Sequence, residues 1–119
     1  MRILSFKHGE ITSTGGIYTN IMKINTELVK KGHTCTIITT NPAHLPERDV
    51  INGVNIIRVN TRGDWLFGLN LKVYHIIKKN MAALNPDIIH LHGIHGFFCP
   101  EVFFILKGLL KVKQPIVYT

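Results

Sequence analysis

Hydrophobic positions along the chain follow two different spacings. The short apolar run RILSF, at residues 2–6, is bounded by polar residues and predicts a buried strand. After it, one apolar position in every three or four residues predicts one face of a helix: Ile17, Ile21, Ile24 and Leu28. This helix should end at KKGH, because lysines suit the negative helix end and Gly32 suits the left-handed position that follows a helix.

The same reading continues to the end of the chain. Four further strands are predicted at TCTIITT, VNIIRV, DIIHLH and PIVYT, and NPAHLPERDVING between the first two of them is predicted as a loop. Two more helices are predicted, one with Leu69, Val73, Ile76, Ile77, Met81 and Leu84 on one side and one at EVFFILKGLLKVK. Strands that alternate with helices predict an α/β fold, a Rossmann-like three-layer sandwich in which helices cover both faces of a parallel sheet. Numbered along the chain, the five strands should lie in the order 3-2-1-4-5.

Composition narrows the class of protein. A chain of 119 residues with 45% hydrophobic and 18% charged residues is about one folded domain. Its net charge of +7 favours anionic partners, but the basic residues are scattered and no nucleic-acid signature accompanies them, so we expect no nucleic acid. Cys35 and Cys99 are expected to be buried free thiols in a reducing, cytoplasmic compartment. No apolar stretch is long enough to span a bilayer.

The loop after the first strand, KHGEITSTGG, is a candidate ligand site. In open parallel sheets ligands bind beyond the carboxyl ends of the strands, and free N–H groups at a helix start attract anions. Gly15 and Gly16 would let the backbone approach a ligand, yet the spacing matches neither the dinucleotide motif nor the NTPase motif. NAD and P-loop chemistry are therefore excluded. A plain strand-to-helix turn, with Ser13 or Thr14 near the cap, is the alternative.

A second candidate is the histidine-rich segment HLHGIHG. His90 and His92 alternate along a strand and point to one face, and His95 follows in the loop. A three-histidine metal site is conceivable, but no carboxylate or cysteine is evident nearby, and we expect no metal and no cofactor. Hydrogen bonding to a polar ligand is the expected role of His92 and His95, and His90 is expected to be structural.

Taken together, these segments resemble a known family. MRIL, then GGIYTNIMKINTELVKKGHTCTIITT, then PDIIHLHG and QPIVYT resemble the N-terminal domain of GT-B fold glycosyltransferases of family 4, the retaining enzymes. The resemblance implies a two-domain enzyme that transfers a sugar from a nucleotide-diphosphate donor to a glycan, lipid-linked or small-molecule acceptor. It also implies that Gly15 and Gly16 close against the donor diphosphate, and it makes Thr14, His92 and His95 candidates for contact with the acceptor or the sugar.

The donor-binding C-terminal domain of that family is absent from these 119 residues. We therefore expect residues 1–119 to be a partial, acceptor-side domain that is inactive alone, with its catalytic residues unknown. The alternative is a non-catalytic α/β module that binds a small phosphorylated ligand. Two further expectations concern partners: self-association through the edge strand PIVYT, and peripheral contact with the inner membrane face through the lysine-rich third helix, whose alternative is a core helix with solvated lysines.

Overall fold

Strands and helices alternate along the chain, as the hydrophobic pattern predicts. The computed structural model describes residues 1–7, 19–40, 45–59, 71–92, 102–103 and 105–118. The strands are β1 (Arg2–Lys7), β2 (Thr34–Thr40), β3 (Arg48–Ile51), β4 (Val54–Val59), β5 (Ile88–His92) and β6 (Ile116–Tyr118). The helices are α1 (Thr19–Lys30) and α2 (Leu71–Leu84), followed by a short π-helix (Ile105–Leu109).

The strands form one sheet in the order β3-β4-β2-β1-β5-β6. All neighbouring pairs are parallel except β3 and β4, which are antiparallel. Without β3, this order is the predicted 3-2-1-4-5. The α/β, Rossmann-like fold class is therefore confirmed, and β1 is a central strand with helix-linked neighbours on both sides.

Strand β3 is a correction to the sequence prediction, which assigned residues 41–53 to a loop. Arg48–Ile51 pairs with β4 through a tight turn in which Asn52 and Gly53 have φ angles of 52° and 81°. This conformation matches the two-residue hairpin turn that an Asn-Gly pair favours. The two prolines and the Asn-Gly pair suggested an irregular segment. In the structure the Asn-Gly pair is the turn that follows β3, and β3 is stabilised by its pairing with β4.

Each face of the sheet has its own apolar core. On one face α1 covers β2 and β4 through a cluster that contains Ile21, Met22, Cys35, Ile37, Val54 and Ile56. On the other face α2 and the C-terminal helical residues cover the sheet through Leu4, Phe6, Ile38, Ile57, Ile77, Leu91, Val102 and Leu106, among others. Cys35 is a buried free thiol, as expected, and Cys99 lies outside the described residues.

The buried stripe of α1 differs from the predicted one at one position. Ile21 is buried and Leu28 packs against the core, but Ile24 is 46% exposed. Met22 and Asn25 are buried instead, so the face that meets the sheet is turned toward their side of the helix. Ile17 lies outside the described residues.

The ends of two helices test the capping predictions. Gly32, at φ 92°, follows α1, and the Gly32 and His33 amides donate hydrogen bonds to the carbonyls of Val29 and Leu28. This is the Schellman pattern, which confirms the predicted end. The third helix is shorter than predicted, because helical geometry stops at Leu109 and Lys111 adopts a φ of 51°.

No helix within the described ranges is both long and apolar enough to cross a membrane.

Candidate functional site

The order of the strands places a topological switch point beside β1. From β1 the chain continues to β2 and β4 on one side, and then crosses over to β5 and β6 on the other side. The direction of winding therefore reverses between β1 and β5. In open α/β sheets, ligands bind at such a switch point, beyond the carboxyl ends of the two strands.

Four polar side chains lie in one row across the carboxyl ends of the strands. Lys7 of β1 is in register with His92 of β5 and with Thr39 of β2, and Thr39 is in register with Arg58 of β4. Partners in register point to the same face of a sheet, and this is the face that α1 covers. We call Lys7, Thr39, Arg58 and His92 the rim row. Lys7 and His92 flank the switch point directly.

His92 stacks on the ring of His90, two residues earlier on the same strand. The two ring centroids are 3.7 Å apart and the ring planes are inclined by 38°. Burial, then the neighbouring His90 ring and then the Lys7 ammonium lower the pKa of His92 from 6.5 to about 4. Burial also lowers the pKa of His90. His92 is therefore neutral at pH 7, and its ring has one hydrogen-bond donor and one acceptor.

Arg58 is held by contacts with the β3 region. Its side chain is 2% exposed, and Nη1 donates a 2.8 Å hydrogen bond to the Pro46 carbonyl oxygen. Both terminal nitrogens lie 3.3 Å from Asp49 Oδ2. These contacts fix the β3 region against the end of β4, so Arg58 has a structural role in the rim row.

Lys7 differs from Arg58 in its surroundings. Its side chain is half-buried, and within the described ranges it makes no ion pair. The described first turn of α1 contains no acidic residue. Ser5, two residues before Lys7 on the same face, is 1% exposed, and its hydroxyl has no hydrogen-bond partner among the described residues. Among the described residues, the positive charge at the centre of the rim row therefore has no neighbouring carboxylate.

The structure positions only part of the site that the sequence predicts. His92 lies at the switch point, and His90, expected to be structural, supports its ring. Thr14, Gly15, Gly16 and His95 lie outside the described residues.

Sequence reasoning missed the other members of the rim row. Lys7 was assigned to the loop after the first strand, but it is the last residue of β1. Thr39 and Arg58 are each the second-last residue of a parallel strand. A polar residue at the carboxyl end of a predicted parallel strand was the signal that could have identified all three.

Two other features bear on ligand binding. Among the described residues, no group of three or more His, Cys, Asp or Glu side chains could hold a metal ion. A cavity of about 400 Å³ opens beside β3 and β4, next to Thr36, Val50, Asn55 and Leu84. Thr36 and Asn55 alternate with the residues that face α1, so this cavity lies on the opposite face from the rim row.

The fold of this chain is similar to that of a known protein. A sucrose-phosphate synthase from Thermosynechococcus elongatus has a similar structure, with a TM-score of 0.66 over 98% of this chain. The sequences are 16% identical, so the likeness concerns the fold, and the chain spans 32% of the length of that protein. A search of curated proteins finds no match.

The strongest comparison is at the level of the family. The family model of Glycosyltransferase Family 4 matches residues 14–119, which include every described element after β1. A match over nearly the whole sequence, together with a fold of the GT-B Rossmann-like type, identifies the family. The chain belongs to Glycosyltransferase Family 4.

Proposed function

We propose that this chain is the acceptor-side part of a retaining glycosyltransferase that uses a nucleotide-diphosphate sugar. Family membership supports transferase chemistry. The observation that carries the acceptor role is the pairing of His92 with Lys7 at the switch point of the sheet. Two polar side chains from neighbouring strands can bind a polar ligand there, since open α/β sheets bind ligands at this edge.

His92 is proposed to hydrogen-bond a sugar hydroxyl. Because its pKa is lowered to about 4, the ring stays neutral at pH 7. A neutral imidazole can donate to one hydroxyl oxygen and accept from another hydroxyl, whereas an imidazolium can only donate. Stacking on His90 restricts the ring to one orientation, which reduces the entropy that binding would otherwise cost.

The glycine pair is proposed to bind the donor. Backbone N–H groups near Gly15 and Gly16, just before α1, would face the diphosphate, because amides at a helix start favour anions. Thr14 and His95 are proposed as further contacts with the acceptor or the transferred sugar. These four residues are assigned from the sequence pattern and the family resemblance.

Acceptor binding can be tested on the 119-residue chain by NMR. Glucose, maltose and sucrose, each titrated into ¹⁵N-labelled protein, should shift the amide signals at the carboxyl ends of β1 and β5. His92→Ala should abolish these shifts, because it removes the proposed hydroxyl partner. His75→Ala, on the exposed side of α2, is the matched control and should leave them unchanged. Shifts confined to the amino ends of the strands would contradict the proposal.

The second test concerns turnover. The chain alone should transfer no sugar from UDP-glucose or GDP-mannose to these acceptors, because we propose that a separate domain binds the nucleotide. Product formation above a no-protein control would refute this part of the proposal. A chain that binds a sugar phosphate but gives no amide shifts with glucose, maltose or sucrose would favour a non-catalytic phosphate-binding module instead.

Two partner surfaces are proposed as well. Phe103 is 45% exposed, and Lys107, Lys111 and Lys113 are exposed after it, which suits peripheral contact with an acidic inner membrane face. Co-sedimentation with vesicles that contain acidic lipid, but not with neutral vesicles, is the expected result. Binding to neither would contradict this contact.

Strand β6 lies at an edge of the sheet with Val117 42% exposed, and an uncovered edge invites pairing with a second copy. Sedimentation velocity should show association that increases with concentration. A monomer at all concentrations would contradict it.

A further inference from the structure

The ammonium group of Lys7 has no role in the proposed contact between His92 and a sugar hydroxyl. Lys7 ends the central strand, and its side chain is half-buried between those of His92 and Thr39. Partial removal of an ammonium group from water is costly unless a counter-charge or hydrogen-bond acceptor is supplied. The question is therefore which group neutralises Lys7.

The carboxylates within the described ranges are all placed elsewhere. Glu27 lies on the exposed side of α1 and pairs with Lys30. Asp87 lies at the amino end of the sheet, where its carboxylate accepts a 2.7 Å hydrogen bond from the Arg2 amide. Glu47 is exposed before β3.

Asp49 is the remaining described carboxylate, and it is on β3. Its Oδ2 contacts Arg58 and its Oδ1 accepts a 2.8 Å hydrogen bond from the Val50 amide. Strand β3 is the third neighbour of β1 in the sheet, a separation of roughly 14 Å at the usual spacing between strands. This distance exceeds the Debye length at physiological salt, so Asp49 does not neutralise Lys7.

We infer that Lys7, with Thr39 and His92 on either side, forms a binding site for an oxyanion, a phosphate or a carboxylate. The ammonium supplies the charge and hydrogen-bond donors, and the neutral His92 ring beside it can give its one N–H to the oxyanion in place of a sugar hydroxyl. Thr39 is fully buried and lies beside Lys7 on the neighbouring strand. The three side chains come from adjacent strands in register, so the sheet holds their spacing. Lys7 thereby selects an anionic group on the ligand that His92 contacts.

This inference rests on the proposed function, because the oxyanion would belong to one of the two substrates. It is either an anionic group of the acceptor or the diphosphate of the donor. The two sources share their chemistry and differ in the number of linked phosphates. A site for an acceptor group needs only one phosphate or carboxylate, whereas a donor site favours a diphosphate.

The test uses the 119-residue chain and three small anions: inorganic phosphate, inorganic pyrophosphate and glucuronate. Each is titrated into ¹⁵N-labelled protein, and the amide shifts of Lys7, Thr39 and His92 are followed. Saturable shifts are expected, and they should weaken as sodium chloride is raised. If pyrophosphate binds at least tenfold more tightly than phosphate, the oxyanion belongs to the donor. If the two anions bind with similar affinity, it belongs to the acceptor. Either result supports the site.

Three variants identify the residue responsible. Lys7→Met should weaken binding about 10- to 100-fold, the effect of losing a charged hydrogen bond. Lys7→Arg keeps the charge and should stay within about threefold of the wild type. Lys23→Met, on the exposed side of α1, is the matched control for net charge and should bind as the wild type does. Circular dichroism verifies that each variant is folded.

The inference is overturned if no anion gives saturable shifts at these three residues, or if Lys7→Met binds as tightly as the wild type. Neither result depends on sugar binding. Loss of the saccharide shifts would refute the proposed acceptor role and leave the anion titration intact. The two failures are therefore distinguishable.

Discussion

Mild acid should destabilise this fold through His92. The pKa of His92 is lowered to about 4 in the folded chain, whereas an unfolded histidine titrates near 6.5. Between these values the unfolded chain binds a proton that the folded chain does not. Stability therefore falls as the pH drops below about 6.5, and the loss is complete only below about pH 4.

The size of the effect follows from the shift. A difference of about 2.5 pKa units corresponds to about 3 kcal/mol once the pH is below both values. At pH 5 the unfolded histidine is almost fully protonated and the folded one is not, so about 2 kcal/mol should already be lost. For a domain whose total stability is about 5–15 kcal/mol, this loss is large enough to measure.

Urea unfolding at pH 7 and pH 5, followed by circular dichroism, measures the effect. The free energy of unfolding of the wild type should fall by about 2 kcal/mol more than that of His92→Gln, because glutamine does not titrate. His75→Gln, at an exposed position on α2, is the control and should fall as the wild type does. If His92→Gln loses as much stability as the wild type, the reasoning is wrong. An NMR titration of the His92 ring with a midpoint near 6.5 would refute it independently.

Two further predictions concern the β3–β4 hairpin. Gly53→Ala should destabilise the fold more than Gly32→Ala in urea unfolding. Both glycines have a positive φ, which costs an alanine about 1–2 kcal/mol. Only at Gly53 would the new Cβ also lie 2.9 Å from Val29 Cγ1. Equal losses would show that the contact is relieved without cost. Arg58→Met should lower the free energy of unfolding by about 1.5–3 kcal/mol, because it removes charged hydrogen bonds to Pro46 and Asp49. Asp49→Asn should cost less. If hydrogen exchange in β3 of Arg58→Met is as slow as in the wild type, the prediction is wrong.

The alternation of strands and helices could be predicted because its signals are local. Each apolar spacing is set within a few residues, and so is the end of α1 at Gly32, where the backbone turns left-handed. Once the elements are known, right-handed crossovers leave few orders for the strands. The order around β1 was therefore predictable from the sequence.

Elements that depend on distant partners were not predictable. Strand β3 has four residues and forms through its pairing with β4, so its own pattern is weak. Ile24 fits a helical repeat but is exposed, because the sheet decides which side of α1 is covered. The early end of the third helix at Leu109 was missed as well, since an apolar run with lysines continues past it.

The candidate site divides in the same way. An α/β chain with a glycine pair after its first strand and a histidine at the end of a later strand can be read from the sequence alone. Strand pairing, in contrast, is what brings Lys7 beside His92 and Thr39 and places Asp49 next to Arg58 instead of Lys7. The reason is that register is set by backbone hydrogen bonds between strands far apart in the chain, and these determine which side chains share an edge.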